Sequence, residues 1–433
     1  MKKLKVLIVT YYWPPSAGGG VQRWLKLSSH LPEFGIEPII FTPENPAFSL
    51  KDDTLTREVA DNLEVWKFPI WEPLKYFGKE GQPRQGQVLE KKKKGLLDTL
   101  LIWARATFFI PDPRVFWVRP SVRFLAPMIK SNDIDLVITT GPPHSMHLIG
   151  MNLQKKTGAK WVADFRDPWS QWDILDKLGV KGWARKRHSF LEQKVIKNCD
   201  LLITVSNTWA ADFGRLGATK TFVLTNGYDE HSLDIEKAMV PGGKFRLAHI
   251  GMLNEMRNPL VLWEALSELC VENREFAAGL EIYLAGILSD QVITSIEAFP
   301  ELKGKLVVDG YLSHGSARRA MKTSTVQLLV MNDSGNAKGH IPGKFFEYLE
   351  AKRPILAIGD SAGDVAKIIE DTGAGACLGF NDKVGVRRAL EKQFADFKSN
   401  RPFASKHFDK YARRSLAMKL SNRLFEIFVP KEK

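Results

Sequence analysis

The stretch KGHIPGKFFEYLEAKRPILAIG, residues 338–359, gathers residues able to hold a phosphorylated ligand. Gly339, Pro342 and Gly343 leave little side chain ahead of a helix-like run, so backbone N–H groups at a helix start can approach a phosphate. Glu347 follows one turn later, where a carboxylate can accept two hydrogen bonds from a ribose diol. The plain alternative is a carboxylate placed to favour the helix dipole, worth ~0.3–1 kcal/mol. Lys344 adds a cation to the same loop, and His340 lies just before it. A second loop, GMLNEMRN (251–258), follows an apolar run and sets Gly251 and Arg257 ahead of another helix. Arg257 reads either as a solvated charge or, with Lys344, as half of a diphosphate site.

A further set lies in the first half. Asp164, Arg166 and Asp167 in WVADFRDPW follow a strand-like run. They read either as an ion pair pinning a loop or as a group in which one Asp orients or deprotonates an acceptor hydroxyl. TGPPHSMHL places His144 and His147 after another run. A zinc pair would need further ligands, and His144 is open to contact with a sugar or to packing in its loop. Gly18–Gly19–Gly20 does not continue as GxGxxG, because Arg23 takes the last place, which disfavours a nicotinamide enzyme. Asp133–Ile134–Asp135 spells DxD but precedes its strand and reads as a solvated turn, so no metal is implied.

These residues need elements to position them. Short apolar runs (Leu4–Thr10, Leu136–Thr140, Leu201–Val205, Phe245–Ile250, Val326–Val330) alternate with helix-like segments almost throughout. That pattern belongs to parallel sheets covered on both faces. It restarts near residue 245 after AMVPGGK (238–244), a plausible linker. The expected organisation is α/β, with two doubly wound parallel-sheet domains facing a central cleft, over residues 1–236 and 237–408. A basic helix over 409–433 is expected to pack back on the first domain. Ligands in such sheets sit outside the carboxyl ends of the strands.

Composition bounds the partners. The chain has 433 residues, 44% hydrophobic, and three scattered cysteines with no CxxC pair, so neither a disulfide framework nor a zinc knuckle is indicated. A cytoplasmic setting is expected, without a signal peptide or a membrane span. The net charge of +13 is uneven, +10 within residues 1–200 and +3 beyond. An anionic partner is expected on the first domain; no nucleic-acid motif is present. Residues 91–114, KKKKGLLDTLLIWARATFFIPDPR, read either as an excursion packed on that domain or as a peripheral contact with anionic lipid.

Five segments together resemble a family-4 glycosyltransferase: GGGVQRWLKLSSHLPEFGIEPIIFT, WVADFRDPW, LLITVSNTW with LTNGYD, GMLNEMRN, and GKFFEYLEAKRPILAIG. The resemblance implies the GT-B architecture and a retaining, metal-independent transfer of sugar from a nucleoside-diphosphate donor to an acceptor hydroxyl, in cell-surface polysaccharide or lipid-linked glycan synthesis. It implies no cofactor. Donor-binding roles fall to Glu347, Arg257, Lys344, Gly343, Gly251, Gly310, Tyr311 and His340, with Glu347 on the ribose and Gly310–Tyr311 near the nucleobase. Gly19, Gly20 and Arg23 fall in the loop near the acceptor. Asp167, Arg166 and His144 fall at the reaction centre. The chain departs from the family where Gly339 replaces the first glutamate of its usual motif and Met252 replaces its usual arginine. It is more similar to forms with a PGK-x-x-EY pattern. A sugar-nucleotide epimerase of similar architecture, or a glycan- or nucleotide-binding scaffold, is the alternative.

Overall fold

The computed structural model describes residues 3–48, 50–72, 103, 107–171, 175–176, 178–229, 243–335 and 337–429. The chain divides into two compact units: residues 1–226 with 413–433, and residues 227–412.

The first unit holds a seven-stranded sheet ordered β3-β2-β1-β4-β5-β6-β7, all parallel. Its strands are β1 Leu4–Val9, β2 Ile36–Pro43, β3 Glu64–Phe68, β4 Leu136–Gly141, β5 Lys160–Phe165, β6 Leu201–Thr204 and β7 Thr221–Val223. Val6 to Val9 are all fully buried, as a parallel strand covered on both faces requires. The described helices of this part are α1 Gly19–His30, α2 Val115–Ser131, α3 Ser145–Thr157, α4 Gly182–Asn198 and α5 Asn207–Arg215. Alternate strand residues face opposite layers. Leu7, Val9, Val137 and Ala163 pack with Trp117 and Val122 of α2, Met146 of α3 and Val195 of α4. Val6, Ile8, Ile138 and Val162 pack on the other side with Trp24 and Leu25 of α1.

The second unit holds a six-stranded parallel sheet ordered β10-β9-β8-β11-β12-β13. Its strands are β8 Phe245–Ile250, β9 Leu280–Ala285, β10 Leu306–Asp309, β11 Val326–Val330, β12 Ile355–Ile358 and β13 Gly375–Leu378. Its helices are α6 Leu260–Glu272, α7 Arg274–Gly279, α8 Asp290–Glu297, α9 His314–Lys322, α10 Gly343–Glu350, α11 Asp364–Thr372 and α12 Lys383–Lys398. The last helix, α13 Arg413–Phe428, belongs to the first unit. There Leu416, Leu420 and Leu424 join the α1 layer, and Arg414 pairs with Glu33 at 2.7 Å.

The two-fold doubly wound reading therefore holds. Helix α2 was not legible, because Pro120 and Pro127 lie inside it. Each proline removes one backbone hydrogen bond, yet burial of Trp117, Val118, Val122, Leu125 and Ile129 keeps the helix intact. Residues 91–102 and 104–106 of the proposed peripheral segment lie outside the described residues.

Candidate functional site

In the second unit the donor residues predicted from sequence collect at the carboxyl edge of the sheet. Helix α10 opens after Pro342, in extended conformation, and Gly343 is exposed. Glu347 sits one turn in, with its side chain one-third exposed, 3.7 Å from His314 Nε2 at the start of α9. Lys344 Nζ lies 3.4 Å from Nε2 of His249, a fully buried residue near the end of β8. The other ring nitrogen of His249 faces the Leu328 carbonyl at 2.9 Å, closer than the 3.3 Å from Nε2 to the Met252 carbonyl; with the proton on Nδ1, Nε2 can accept from the ammonium.

Gly251 is what lets Lys344 reach this place. Its φ is +136°, and a Cβ there would lie 2.1 Å from Lys344 Nζ. Arg257 is half-buried and its Nε donates to Asn332 Oδ1 at 2.7 Å. Both cations thus bond neutral partners. Burial, and then the Arg257 charge, push Lys344 down to about 7. Burial and the same guanidinium push His340 down to about 4, so it is neutral at physiological pH. The arrangement is positive charge poorly balanced by carboxylate, one helical turn from an acid with accessible oxygens. Gly310 and Tyr311 follow β10, and Tyr311 is 80% exposed. His249, Asn332 and His314 escaped the sequence reading. A histidine inside the apolar run FRLAHI was the one available signal for the first of them.

In the first unit the carboxyl edge carries the second set. Asp164 ends fully buried on β5 and is the anchor of the site. Arg23 Nη2 and Nε donate to its two oxygens at 2.9 and 3.1 Å, Trp24 Nε1 at 2.8 Å and Thr140 Oγ1 at 2.8 Å. These donors hold its carboxyl below the usual range despite burial. Arg23 also donates to the Thr225 carbonyl at 3.0 Å and is 4% exposed, so its guanidinium is committed to structure within the unit. It fixes α1 against β5 and leaves the adjoining glycine loop free, with Gly18 and Gly19 exposed.

Arg166 donates from Nε to the Gly141 carbonyl at 3.3 Å and from Nη2 to the Pro142 carbonyl. Its Nη1 would lie 3.1 Å from a Cβ on Gly20, so the glycine loop and Arg166 adjoin. Asp167 follows, half-buried, and burial together with nearby Asp164 pushes its carboxyl up against the opposing pull of Arg166. A raised carboxyl at a strand end suits proton transfer. His144 stacks on Trp169 at 4.9 Å and 4°. Burial keeps it neutral, and neither ring nitrogen has a partner among the described residues. His147 bonds Thr139 Oγ1 at 3.0 Å, and burial pushes it down to about 3. The DxD carboxylate Asp135 accepts the Lys5 N–H at 2.9 Å, at the opposite, amino edge.

Residues 18–227 match the family model described as a glycosyl transferase 4-like domain. No curated protein matches the chain significantly in sequence. Among solved structures, HepE from Anabaena, crystallised with UDP and glucose, is 14% identical with a TM-score of 0.61, covering 98% of this chain and 100% of its own. A TarM variant from S. aureus, solved with Fondaparinux, alpha-GlcNAc-glycerol and UDP, is 12% identical with a TM-score of 0.59, covering 99% and 100%. A protein from Listeria monocytogenes described as a UDP-N-acetylglucosamine 2-epimerase is 14% identical with a TM-score of 0.52, covering 98% and 97%. The chain therefore has the GT-B fold, two parallel-sheet α/β domains, and its residues 18–227 match the model of a glycosyl transferase 4-like domain.

Proposed function

We propose that this protein is a retaining glycosyltransferase that moves a sugar from a nucleoside diphosphate to an acceptor hydroxyl of a glycan or lipid-linked glycan. The observation that carries the reading is the Lys344–Arg257 pair. Two half-buried cations with neutral partners lie beside a helix start, one turn from Glu347. A diphosphate supplies the charge they lack, and a ribose diol supplies two donors to the carboxylate. The same two cations offset charge developing on the leaving diphosphate, so the reaction needs no metal. Gly343 and Gly251 let backbone and Lys344 come close, and Gly310–Tyr311 border the base.

On the acceptor side, Gly19 offers open backbone, and Gly20, packed against Tyr12 and Arg166, sets the adjoining loop. Asp167 orients the hydroxyl, whose proton leaves for the carboxylate or the departing phosphate. His144, neutral, donates or accepts one hydrogen bond to a sugar hydroxyl. The pathway is synthesis of a cell-surface polysaccharide or lipid-linked glycan on the cytoplasmic side, with the enzyme held peripherally on the membrane.

The epimerase described above shares the fold, so the fold does not separate transfer from epimerisation. Acceptor dependence does: a transferase consumes the nucleotide sugar in step with an added acceptor, and an epimerase converts it with none. The nucleotide reading is tested by a thermal-shift screen with UDP, GDP, dTDP and ADP, repeated on Glu347→Ala. One nucleotide at ~100 times its Kd raises stability by about 2.7 kcal/mol. Loss of the two carboxylate bonds weakens that nucleotide by roughly 10- to 100-fold. No shift with any of the four, or an unchanged affinity in the variant, sinks the proposal.

A further inference from the structure

Three helices, α2, α3 and α4, cover one face of the seven-stranded sheet, α2 packed on α3 and α3 on α4. They carry ten Lys and Arg and a single acid, Glu192. That acid is buried and accepts from the Trp169 N–H at 3.1 Å and from Ser170 Oγ. Arg119, Arg123, Lys155 and Lys156 line a groove of ≈ 400 Å³ between α2 and α3, with Val122 and Asn152 and, among the described residues, no carboxylate. Among the described residues the acids that approach this layer are few: Asp112 caps α3 through the Ser145 N–H, Asp200 accepts from Gln154 of α3 at 3.0 Å, and exposed Asp176 pairs with Arg185 at 3.2 Å.

The same layer has an aromatic rim at the amino-terminal ends of α2 and α4. Phe116 (43% exposed) meets Trp71 (59%) at 5.0 Å, and Phe109 meets Phe116 at 5.8 Å. Phe108 (63%) meets Trp183 (57%) at 6.1 Å and Trp103 at 6.0 Å. Phe108 and Phe109 are adjacent in the chain, so the two groups form one rim. Large aromatic rings left in solvent beside cations are costly for an isolated surface and suit a lipid headgroup boundary, where rings sit at the interface and cations meet anionic lipid. A polyanion would be served by the cations and would leave the rings unused.

We infer that this flank of the first unit is a docking surface for an anionic lipid bilayer, with the Trp71–Phe116 and Phe108–Trp183 pairs entering the interface and the α2–α3 groove taking anionic headgroups. The rim lies at the ends of α2 and α4 that face the carboxyl edge of the sheet, the edge that carries Asp167 and the glycine loop. The inference deepens the reading of a lipid-linked acceptor, because docking by this rim brings that edge to the bilayer surface. No helix among the described residues is long and apolar enough to cross a membrane, so attachment by this surface is peripheral.

The test is co-sedimentation of the full chain with phosphatidylcholine vesicles, with and without phosphatidylglycerol. Binding is expected only with the anionic lipid and falls as salt screens the cations. The variant Arg119→Glu/Arg123→Glu/Lys156→Glu lowers vesicle partition by about a hundredfold. The variant Phe108→Ser/Phe116→Ser/Trp183→Ser lowers it at least about tenfold. A second measurement avoids a disruptive variant: brominated acyl chains quench part of the protein's tryptophan emission, and Trp183→Phe removes much of that part. No binding to anionic vesicles overturns the inference. So does loss in the charge variant with full binding and unchanged quenching in the aromatic one, which marks a site for a soluble polyanion. Neither readout involves nucleotide, so failure here leaves the Glu347 test untouched, and failure there leaves this one.

Discussion

Lys344 Nζ stands 3.4 Å from His249 Nε2, over a glycine whose side chain, had it one, would occupy the same space. Burial, and then the nearby Arg257 guanidinium, outweigh the single carboxylate of Glu347, and the ammonium is pushed down to about 7.

That depression makes nucleotide binding depend on pH. A bound diphosphate favours the ammonium and raises its pKa towards the ordinary 10.5. Below pH 7 the charge is already present and affinity is at its highest from this group. Above pH 7 each binding event must take up a proton, so affinity falls with a limiting slope of about tenfold per pH unit. Titration calorimetry in two buffers of different ionisation heat should show proton uptake at pH 8, and Lys344→Gln should abolish it. Equal observed heats in the two buffers for the parent protein would refute this account.

Gly251→Ala follows from the same geometry. The added methyl collides with Lys344 Nζ, and its backbone conformation disfavours any side chain. The ammonium is driven out of its position, so the variant should lose roughly tenfold or more in nucleotide affinity while remaining folded. Isothermal binding of the preferred nucleotide checks it, and unchanged affinity would show that Lys344 does not hold the ligand.

The Arg23–Asp164 pair is a stability feature. The two side chains are 2% and 0% exposed, and removing the guanidinium strands a buried carboxylate. Arg23→Met should cost about 3–5 kcal/mol in urea unfolding of the first unit. The pH behaviour has a definite sign. Asp164 is held below its ordinary 3.8, so its contribution is fully present above that value and is lost as the pH falls through the lower, folded-state value. Acid unfolding of the parent should therefore be steeper than that of Arg23→Met. A loss below ~1 kcal/mol in the variant would mean that the network does not hold α1 to β5.

Sequence by itself determined the paired parallel architecture, because strands buried on both faces must be continuous apolar runs, and Leu4–Val9 and Phe245–Ile250 are such runs. It also located the two loops that follow the second unit's key strand and precede α10, since glycine, proline and charge at a helix start are local signals. It could not reveal α2, whose prolines argue against the helix that packing sustains, nor the short edge strands β7 and β13, which bury too little to leave a pattern. Tertiary structure alone decided which charges are spent and which are free. Arg23 meets Asp164 across 141 positions and Lys344 meets His249 across 95. Electrostatic energy depends on distance in space and on burial, and neither is written in spacing along the chain.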